Sequence, residues 1–380
     1  MKRALVIFTN DLRLNDQSVI DHLRANQIDY VPVYLDYFEM IPSQEFFPIN
    51  VTKRKFILNA IEHLKKALYL ADRELIVIDN NYMEALTGLI ERYGVNQIFL
   101  SRNSNILLKE CLDSLELKLL KNNIFIHYFD SNYLIDLEDL SFPMARMPSD
   151  FRTFRTKIKG VKLNAVNDQV VVPDPVLSIL EEIQQEEIPV LLPYKTRLNN
   201  HFSKFLPYLS CGMISPAELL EVIKQRMGVS LPFDKKALKV LTNQLIKLDF
   251  VRASMRNQSQ TPFFEESLTS DEIQRVDQWI EGKTDSDLIN AIMHKLRDTS
   301  MISLTSKRLA ILYYLKVLNL PKFFGYHYFE NQLLEYDSSL NLFLWLEYDK
   351  MEYTHHDFRH HIIDQQQYLD PKHSFVAFWN

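Results

Sequence analysis

Glycine is scarce in this chain of 380 residues. The sequence contains 7 glycines, where an average usage of about 7% would give roughly 27. No two of them are close enough to form a G-x-G motif. Glycine-rich loops that bind dinucleotides or nucleoside triphosphates need glycine so that the backbone can approach a phosphate closely. The sequence therefore excludes both loops, and a phosphate-bearing ligand has to be held by side chains or by helix N-termini.

Cysteine and long apolar runs are also rare. The two cysteines, Cys111 and Cys211, exclude a disulfide framework and a zinc site built on cysteine. No uncharged apolar stretch approaches the length of about 18 residues that a membrane helix needs, so we expect no membrane span. A charge at Asp11 follows the first apolar run too soon for a secretory signal. We therefore expect a cytoplasmic protein.

Neither sign of charge dominates the composition. The formal net charge is -6, with 24% charged and 47% hydrophobic residues. These values are typical of an ordinary globular protein and argue against bulk affinity for nucleic acid. The composition still allows a local basic patch, because residues 204–330 carry 17 Lys and Arg against 14 Asp and Glu.

Short apolar runs and helical patterns alternate over the first 130 residues. The runs are rich in β-branched side chains, as expected of strands that are buried on both faces. They cover residues 4–8, 30–35, 75–78, 97–100 and 124–128, and helical periodicity is clearest over 53–71 and 82–93. The alternation predicts a Rossmann-like α/β domain over residues 1–130, with a parallel sheet between two helical layers.

The rest of the chain changes character twice. Prolines interrupt residues 131–190, which we interpret as an inter-domain connector. From residue 191 onward helical periodicity replaces the strand signals, so we expect an all-α domain over 191–380. Its clearest helical patterns cover residues 216–227, 235–250, 286–297 and 305–318.

Six motifs in chain order resemble those of the cryptochrome/DNA photolyase family, in its DASH-like form. They are NDLRLNDQ at 10–17, DLSFP at 139–143 with MPSDFRTFR at 147–155, FLPYLSCGMISP at 205–216, the segment 279–296, the positions 328–345 and the closing segment 370–379. The resemblance implies an α/β antenna domain followed by a helical domain that binds FAD. In the repair enzymes of this family, light-excited reduced flavin passes an electron to a pyrimidine dimer that is flipped out of DNA.

The resemblance also assigns residues to the cofactor. Asn341 matches the neighbour of flavin N5, Asp337 matches the carboxylate at the polar ring edge, and Lys307 with Glu335 replaces an Arg-Asp pair with the signs kept. The full set of cofactor-binding residues is Tyr194, Arg197, Ser203, Lys204, Phe205, Lys307, Glu335, Asp337 and Asn341. Contacts are lost at Leu248, Met301 and Leu304, so we expect FAD to be substoichiometric. No position identifies an antenna chromophore.

The substrate face has changed more than the cofactor face. The resemblance places Gln244 at the glutamate that contacts the dimer and Lys247 at the tryptophan that stacks on it. An ammonium group offers no face for base stacking, which is worth about 1–3 kcal/mol per base. Trp345 matches the first tryptophan of the family's electron relay, whereas the second position is Lys322. Gln244 and Trp345 are therefore the candidate catalytic residues.

Two functions remain open at this point. One is an FAD-binding, blue-light-responsive flavoprotein with weak or no dimer repair, and the alternative is an active deoxyribodipyrimidine photolyase. We expect a monomer that contacts DNA weakly and through phosphates. The histidine pairs among residues 355–361 have helical spacing, but no carboxylate or cysteine supports them, so we expect a solvated polar face and no metal.

Overall fold

The chain forms two compact units in a computed structural model. The first unit comprises Met1–Pro42 and Ile57–Asn257, and the second comprises Ser43–Phe56 and Gln258–Asn380. The structure describes residues 3–36, 48–102, 106–166, 170–185, 194–226, 235–256, 268–335, 337–352, 358, 361–362, 364–367, 370 and 372–380. Within these ranges it describes the backbone alone for residues 106–108, 110–111, 184–185 and 194–201. The domain boundaries at residues 130 and 190 stay a prediction.

A parallel five-stranded sheet forms the centre of the first unit, as the sequence predicts. The strands are β1 (Arg3–Phe8), β2 (Asp29–Leu35), β3 (Ile76–Ile78), β4 (Gln97–Ser101) and β5 (Phe125–Phe129). Their order across the sheet is β3-β2-β1-β4-β5, and every neighbouring pair is parallel. The central strand, β1, is buried from its second residue to its last, which explains why its sequence is a continuous apolar run.

Nine α-helices accompany this sheet, in chain order, over the described residues. They are α1 (Ser18–Ala25), α2 (Val51–Leu70), α3 (Tyr82–Tyr93), α4 (Ile106–Leu120), α5 (Phe151–Lys157), α6 (Asp174–Gln185), α7 (Tyr194–Ser210), α8 (Pro216–Arg226) and α9 (Lys235–Met255). The first six residues of α2 are grouped with the second unit. Helices α5 and α6 lie in the segment that we interpreted as a proline-interrupted connector. Pro175 is compatible with α6 because it occupies the first turn, where no helical N–H partner is required.

The motif at residues 10–17 contacts the motif at residues 205–216 inside the first unit. The guanidinium of Arg13 is buried and donates to the carbonyls of Asn15, Asp16 and Gly212. Gly212 has a φ of +69° and touches the backbone of Asn10, so that a Cβ at this position would collide. The two motifs therefore hold the fold together through a buried cation and a required glycine.

The second unit is helical over its described residues. Its helices are α10 (Ser270–Glu281), α11 (Asp287–Thr299), α12 (Leu304–Leu312), α13 (Lys322–Gln332), α14 (Ser338–Asp349) and α15 (Ser374–Trp379). A π-helical turn, Tyr313–Val317, continues α12. Trp279, Trp345 and Phe329 are completely buried in its core. In the part of the chain that the structure describes, no helix is both long enough and apolar enough to cross a membrane.

Candidate functional site

One face of α14 carries three of the residues that the sequence singles out. Asp337, Asn341 and Trp345 are spaced four residues apart, which places them one above the other on the helix. Asp337 begins the helix, because its Oδ1 accepts a hydrogen bond of 3.0 Å from the backbone N–H of Leu340. Asn341 is buried and its Nδ2 donates to the carbonyl of Tyr326, 3.1 Å away. Its Oδ1 is buried and has no hydrogen-bond partner among the described residues.

Lys307 and Glu335 form a buried ion pair. Lys307 Nζ lies 2.7 Å from Glu335 Oε1, and both side chains are at most 4% exposed. This burial separates them from a surface helix pair, which would be worth a few tenths of a kcal/mol. The second carboxylate oxygen, Glu335 Oε2, has no hydrogen-bond partner among the described residues. Glu335 Oε2 is therefore a buried acceptor to which a further hydrogen-bond donor could bind.

Trp345 packs among aromatic rings and against a glycine. A Cβ at Gly325 would collide with the Trp345 ring, so the contact requires glycine on α13. The ring centroids of Tyr314 and Phe329 lie 5.4 and 5.7 Å from that of Trp345, both in T-shaped geometry. The ring centroid of Trp279 in turn lies 4.8 Å from that of Tyr314 and 5.7 Å from that of Phe329.

The sequence did not reveal this aromatic cluster. Family spacing directs attention to Lys322 as the next relay position, and its Nζ instead forms an ion pair of 2.7 Å with Asp349. Trp279 and Tyr314 are far apart in the chain, and only the fold brings their rings together. A π-helical turn begins one residue before Tyr314, and such turns occur frequently at functional sites.

A second buried charged cluster also lay outside the sequence predictions. His327 Nδ1 and Glu330 Oε2 are 2.7 Å apart near the end of α13, and both side chains are buried. Lys53 is 1% exposed and its ammonium donates to the carbonyl of Glu330. Burial lowers the pKa of Lys53 to about 7, although Glu330 and Glu335 act in the opposite direction. No sequence motif marks Lys53, because its partners are more than 270 residues away in the chain.

The remaining cofactor candidates lie on α7 in the first unit. Phe205 is completely buried, so it belongs to the core. Lys204 Nζ lies 3.4 Å from Glu182 Oε2, and Ser203 is half-buried. Tyr194 and Arg197 lie within α7, but their side chains fall outside the described residues.

Helix α9 carries the positions at which this sequence differs from the family residues that contact the dimer or the cofactor. Gln244 is half-buried, Lys247 is exposed and Leu248 is buried. The next residue, Asp249, has no exposed surface and accepts hydrogen bonds from the backbone N–H groups of Leu134 and Ile135, at 2.9 and 3.0 Å. Burial raises the pKa of Asp249 to about 7. Lys247 is therefore exposed to solvent on a helix that is anchored at Asp249, two residues further along the chain.

A polar cavity of about 300 Å³ opens in the first unit. Arg13, Asp16, Asn132 and Ser215 line it, close to the carboxyl ends of β1 and β5. These groups are already engaged, since Arg13 Nη1 donates to Asn132 Oδ1 and Ser215 Oγ donates to Asp16 Oδ2. The side chains that line the cavity therefore form part of the contact between the two motifs.

No group of histidine, cysteine and carboxylate side chains suited to a metal ion exists within the residues that the structure describes. Of the four histidines between residues 355 and 361, only His361 is among them. The expectation for the other three lies outside the described residues.

Two family descriptions match the chain and together cover most of it. Residues 4–174 match DNA photolyase, and residues 240–380 match the FAD-binding domain of DNA photolyase. The chain belongs to the cryptochrome/DNA photolyase family. Residues 240–380 are accordingly an FAD-binding domain of the photolyase type, which bears out the resemblance in the motifs.

Individual relatives agree with this family assignment. The chain is 22% identical to a cryptochrome DASH of Idiomarina loihiensis, over 99% of this chain and 92% of that protein. Among solved structures, a Synechocystis cryptochrome matches with a TM-score of 0.79 and 18% identity, over 100% of this chain and 88% of that one. An archaeal photolyase from Sulfolobus tokodaii, solved with two FAD molecules, matches with a TM-score of 0.68 and 18% identity, over 99% and 90%. At these identities the structures support the fold.

Three buried polar side chains of the second unit suit a flavin ring: Lys307 on α12, Glu335 just before α14 and Asn341 on α14. An isoalloxazine presents an N–H donor and two carbonyl acceptors along its polar edge and gains a further N–H on reduction, and Asn341 Oδ1 and Glu335 Oε2 are buried acceptors without a partner among the described residues. Lys307 supplies a buried cation beside Glu335. Unsatisfied buried acceptors cost about 1–3 kcal/mol each, so a ligand that donates to them would relieve that cost. This match concerns the polar groups of the isoalloxazine ring and not the rest of the FAD molecule.

Proposed function

We propose that this chain is an FAD-binding, blue-light-responsive member of the photolyase family that repairs pyrimidine dimers weakly or not at all. It acts as a monomer in the cytoplasm, in keeping with its two isolated cysteines. The observation that carries the proposal is the buried Oδ1 of Asn341, which has no hydrogen-bond partner among the described residues and lies on the same helical face as Asp337 and Trp345.

Bound FAD would supply absorption of blue light and one-electron chemistry. Asn341 offers its Oδ1 to a ring N–H, and its Nδ2 is fixed by the carbonyl of Tyr326. Lys307 and Glu335 would supply a buried paired charge to the bound ring. Trp345 contributes an oxidisable ring that packs closely against Gly325 on α13.

The substrate face argues against efficient repair. Lys247 is exposed and charged where the repair enzymes carry a stacking aromatic, so it provides no surface for a flipped dimer. Gln244 still offers a hydrogen-bond donor, but a neutral amide stabilises a radical anion less than a suitably placed acid does. The alternative, an active photolyase, therefore lacks support at the residues that would bind its substrate.

The proposed partner is DNA, held through its phosphates. Without a stacking residue, binding depends on cations alone, so it should fall steeply with salt and ignore a dimer lesion. A gel-shift comparison of oligonucleotides with and without a thymine dimer tests this point. A clear preference for the damaged strand at physiological salt would favour the active photolyase instead.

The visible spectrum of the purified protein tests the proposed function. We expect a flavin spectrum below one equivalent per chain, which rises when FAD is added and the excess is removed. Titrated FAD should lose fluorescence as it binds. A colourless protein that leaves FAD fluorescence unchanged would show that the proposed function is wrong.

A further inference from the structure

The residues around the start of α2 bind the end of α13. Asn50 caps α2, because its Oδ1 accepts a hydrogen bond of 2.8 Å from the backbone N–H of Thr52. The backbone N–H of Asn50 donates to the carbonyl of Asn331 at 3.0 Å, and its Nδ2 donates to Gln332 Oε1 at 3.1 Å. Gln332 Nε2 donates in turn to the carbonyl of Pro48 at 3.2 Å. All of these residues belong to the second unit.

Lys53 adds a buried charge to this contact. Its ammonium donates to the carbonyl of Glu330, and the residue is almost completely buried. The carboxylate of Glu330 is also buried and lies 2.7 Å from His327 Nδ1. A buried charge costs free energy unless charged or polar partners surround it. The protonation state of Lys53 therefore depends on the residues at the end of α13.

The end of α13 leads directly into the candidate flavin site. The helix ends at Gln332, and Glu335 follows with a buried oxygen, Oε2, that has no hydrogen-bond partner among the described residues. Between them, the backbone N–H of Leu334 donates to the carbonyl of Ser300 at 2.9 Å. The position of Glu335 therefore depends on the contacts of a short turn, and the start of α2 makes those at the beginning of that turn.

The charge of this buried cluster changes when Lys53 gains or loses its proton. Burial lowers the pKa of Lys53 to about 7, against the opposite effect of Glu330 and Glu335. The other charged or titratable groups beside these residues are His327 on α13, Lys307 on α12, Lys295 on α11 and Arg54 on α2. Loss of the proton makes the cluster more negative by one charge. The diphosphate and the ring carbonyls of FAD are electron-rich, so a more negative cluster disfavours them.

We propose that Lys53 is a positioning residue of the candidate flavin site and that its ammonium form favours the binding of FAD. In that form it offsets the nearby carboxylates and donates to the carbonyl of Glu330, which holds the turn that carries Glu335. Lys53 acts through these residues and takes no part in the chemistry of the flavin. The inference rests on the FAD binding of the proposed function and adds a residue that lies 277 positions from Glu330 in the chain.

The pH dependence of FAD binding separates this role from a merely structural one. Folding without FAD favours the neutral form of Lys53, so stability rises as the pH increases above 7. FAD favours the ammonium form, so its affinity should fall over the same range. A merely structural role would make FAD affinity follow stability. FAD titration between pH 6 and pH 9, read from the loss of FAD fluorescence, measures the direction of the change.

Three variants accompany the parent in this titration, after circular dichroism has verified that they fold. We expect the parent to bind FAD about tenfold more weakly at pH 9 than at pH 6, the effect of one charge near a ligand. The exposed Lys55→Met, on the same turn of α2, is the matched control and should follow the parent. Lys53→Arg should bind tightly at every pH, because a guanidinium stays protonated. Lys53→Met should bind at every pH as weakly as the parent does at pH 9.

Proton uptake gives a second readout that needs no variant of Lys53 to fold. A ligand that prefers the ammonium form raises the pKa of Lys53 when it binds, so the parent should take up about half a proton per FAD at about pH 7.5. Titration calorimetry in two buffers of different ionisation enthalpy measures this uptake. Lys55→Met should take up as much as the parent, and Lys53→Met should take up none.

Two results would overturn the inference while the proposed function stands. One is a parent that binds FAD with the same affinity at every pH and without proton uptake. The other is a Lys53→Met variant that keeps the parent's pH dependence, which would assign the titration to another group such as His327. A parent that binds no FAD at any pH would instead refute the proposed function and this inference together.

Discussion

The same family's motifs play different parts in the two units. In the first unit, Arg13 uses all three of its guanidinium nitrogens on acceptors of that unit, and Gly212 and Ser215 complete the contact. In the second unit, Asn341 and Glu335 each keep a buried acceptor without a partner among the described residues. The polar groups of the first motif pair bond one another, so this contact serves the fold. The acceptors of Asn341 and Glu335 lack donors among the described residues, so they indicate a ligand.

The largest expected effect on stability comes from removing Arg13 from the motif contact of the first unit. Arg13→Met removes a buried cation and leaves several buried acceptors empty, so we expect a loss of about 3–5 kcal/mol in the free energy of unfolding. Urea denaturation followed by circular dichroism measures this loss. The exposed Arg24→Met, whose ion pair with Asp21 is solvated, is the control and should cost less than about 1 kcal/mol. Equal losses would contradict the structural role given to Arg13.

The second effect concerns the buried lysine of the second unit. The pKa of Lys53 is near 7 in the folded protein and near 10.5 in the unfolded chain. The unfolded chain therefore binds more protons between these pH values, and stability rises as pH increases from 7 to 10. We expect a rise of about 3 kcal/mol from this residue, at 1.36 kcal/mol per pKa unit.

Lys53→Met should remove most of that rise, because methionine fills the same buried space without a titrating group. Denaturation at several pH values between 7 and 10 gives the two slopes. The exposed Lys55→Met is the matched control on the same turn of α2. If parent and Lys53→Met change stability equally with pH, the ammonium of Lys53 is not buried in the way described here.

Much of the first unit follows from local sequence. The five apolar runs became the five strands within one residue at each end, because a strand buried on both faces must be apolar throughout. The helices α5 and α6 were missed, because the prolines that flank them obscure their short helical patterns. Pro175 stands inside α6, in a first turn that tolerates it.

The candidate site was predictable only where it is local. Asp337, Asn341 and Trp345 lie on one helix, so their spacing alone places them on one face. The aromatic neighbours of Trp345 and the buried Lys53 depend on contacts over long stretches of chain, and no periodicity reports such contacts. Family spacing suggested Lys322 as the neighbour of Trp345, whereas Tyr314 and Phe329 occupy that position.

The third effect concerns light. Trp279 and Trp345 share Tyr314 as a common ring neighbour, at 4.8 and 5.4 Å between centroids. With FAD bound, we expect Trp345→Phe to slow the bleaching of oxidised flavin under blue light in the presence of a thiol. Trp279→Phe should slow it less, since it removes a more distant donor. The completely buried Phe154→Leu, in the first unit, is the control. Bleaching at the parent's rate in Trp345→Phe would mean that another residue supplies the electron.

We expect the face of α14 that carries Asn341 to contact the flavin, and FAD titration of two variants on that helix is the sharpest test of this contact. Asn341→Leu removes the unpartnered Oδ1, whereas Ser339→Ala removes another buried oxygen without a described partner, two residues away and on a different face. We expect about tenfold weaker FAD binding for Asn341→Leu, equivalent to about 1.4 kcal/mol, and parental binding for Ser339→Ala. Equal affinities in the parent and both variants would contradict the claim.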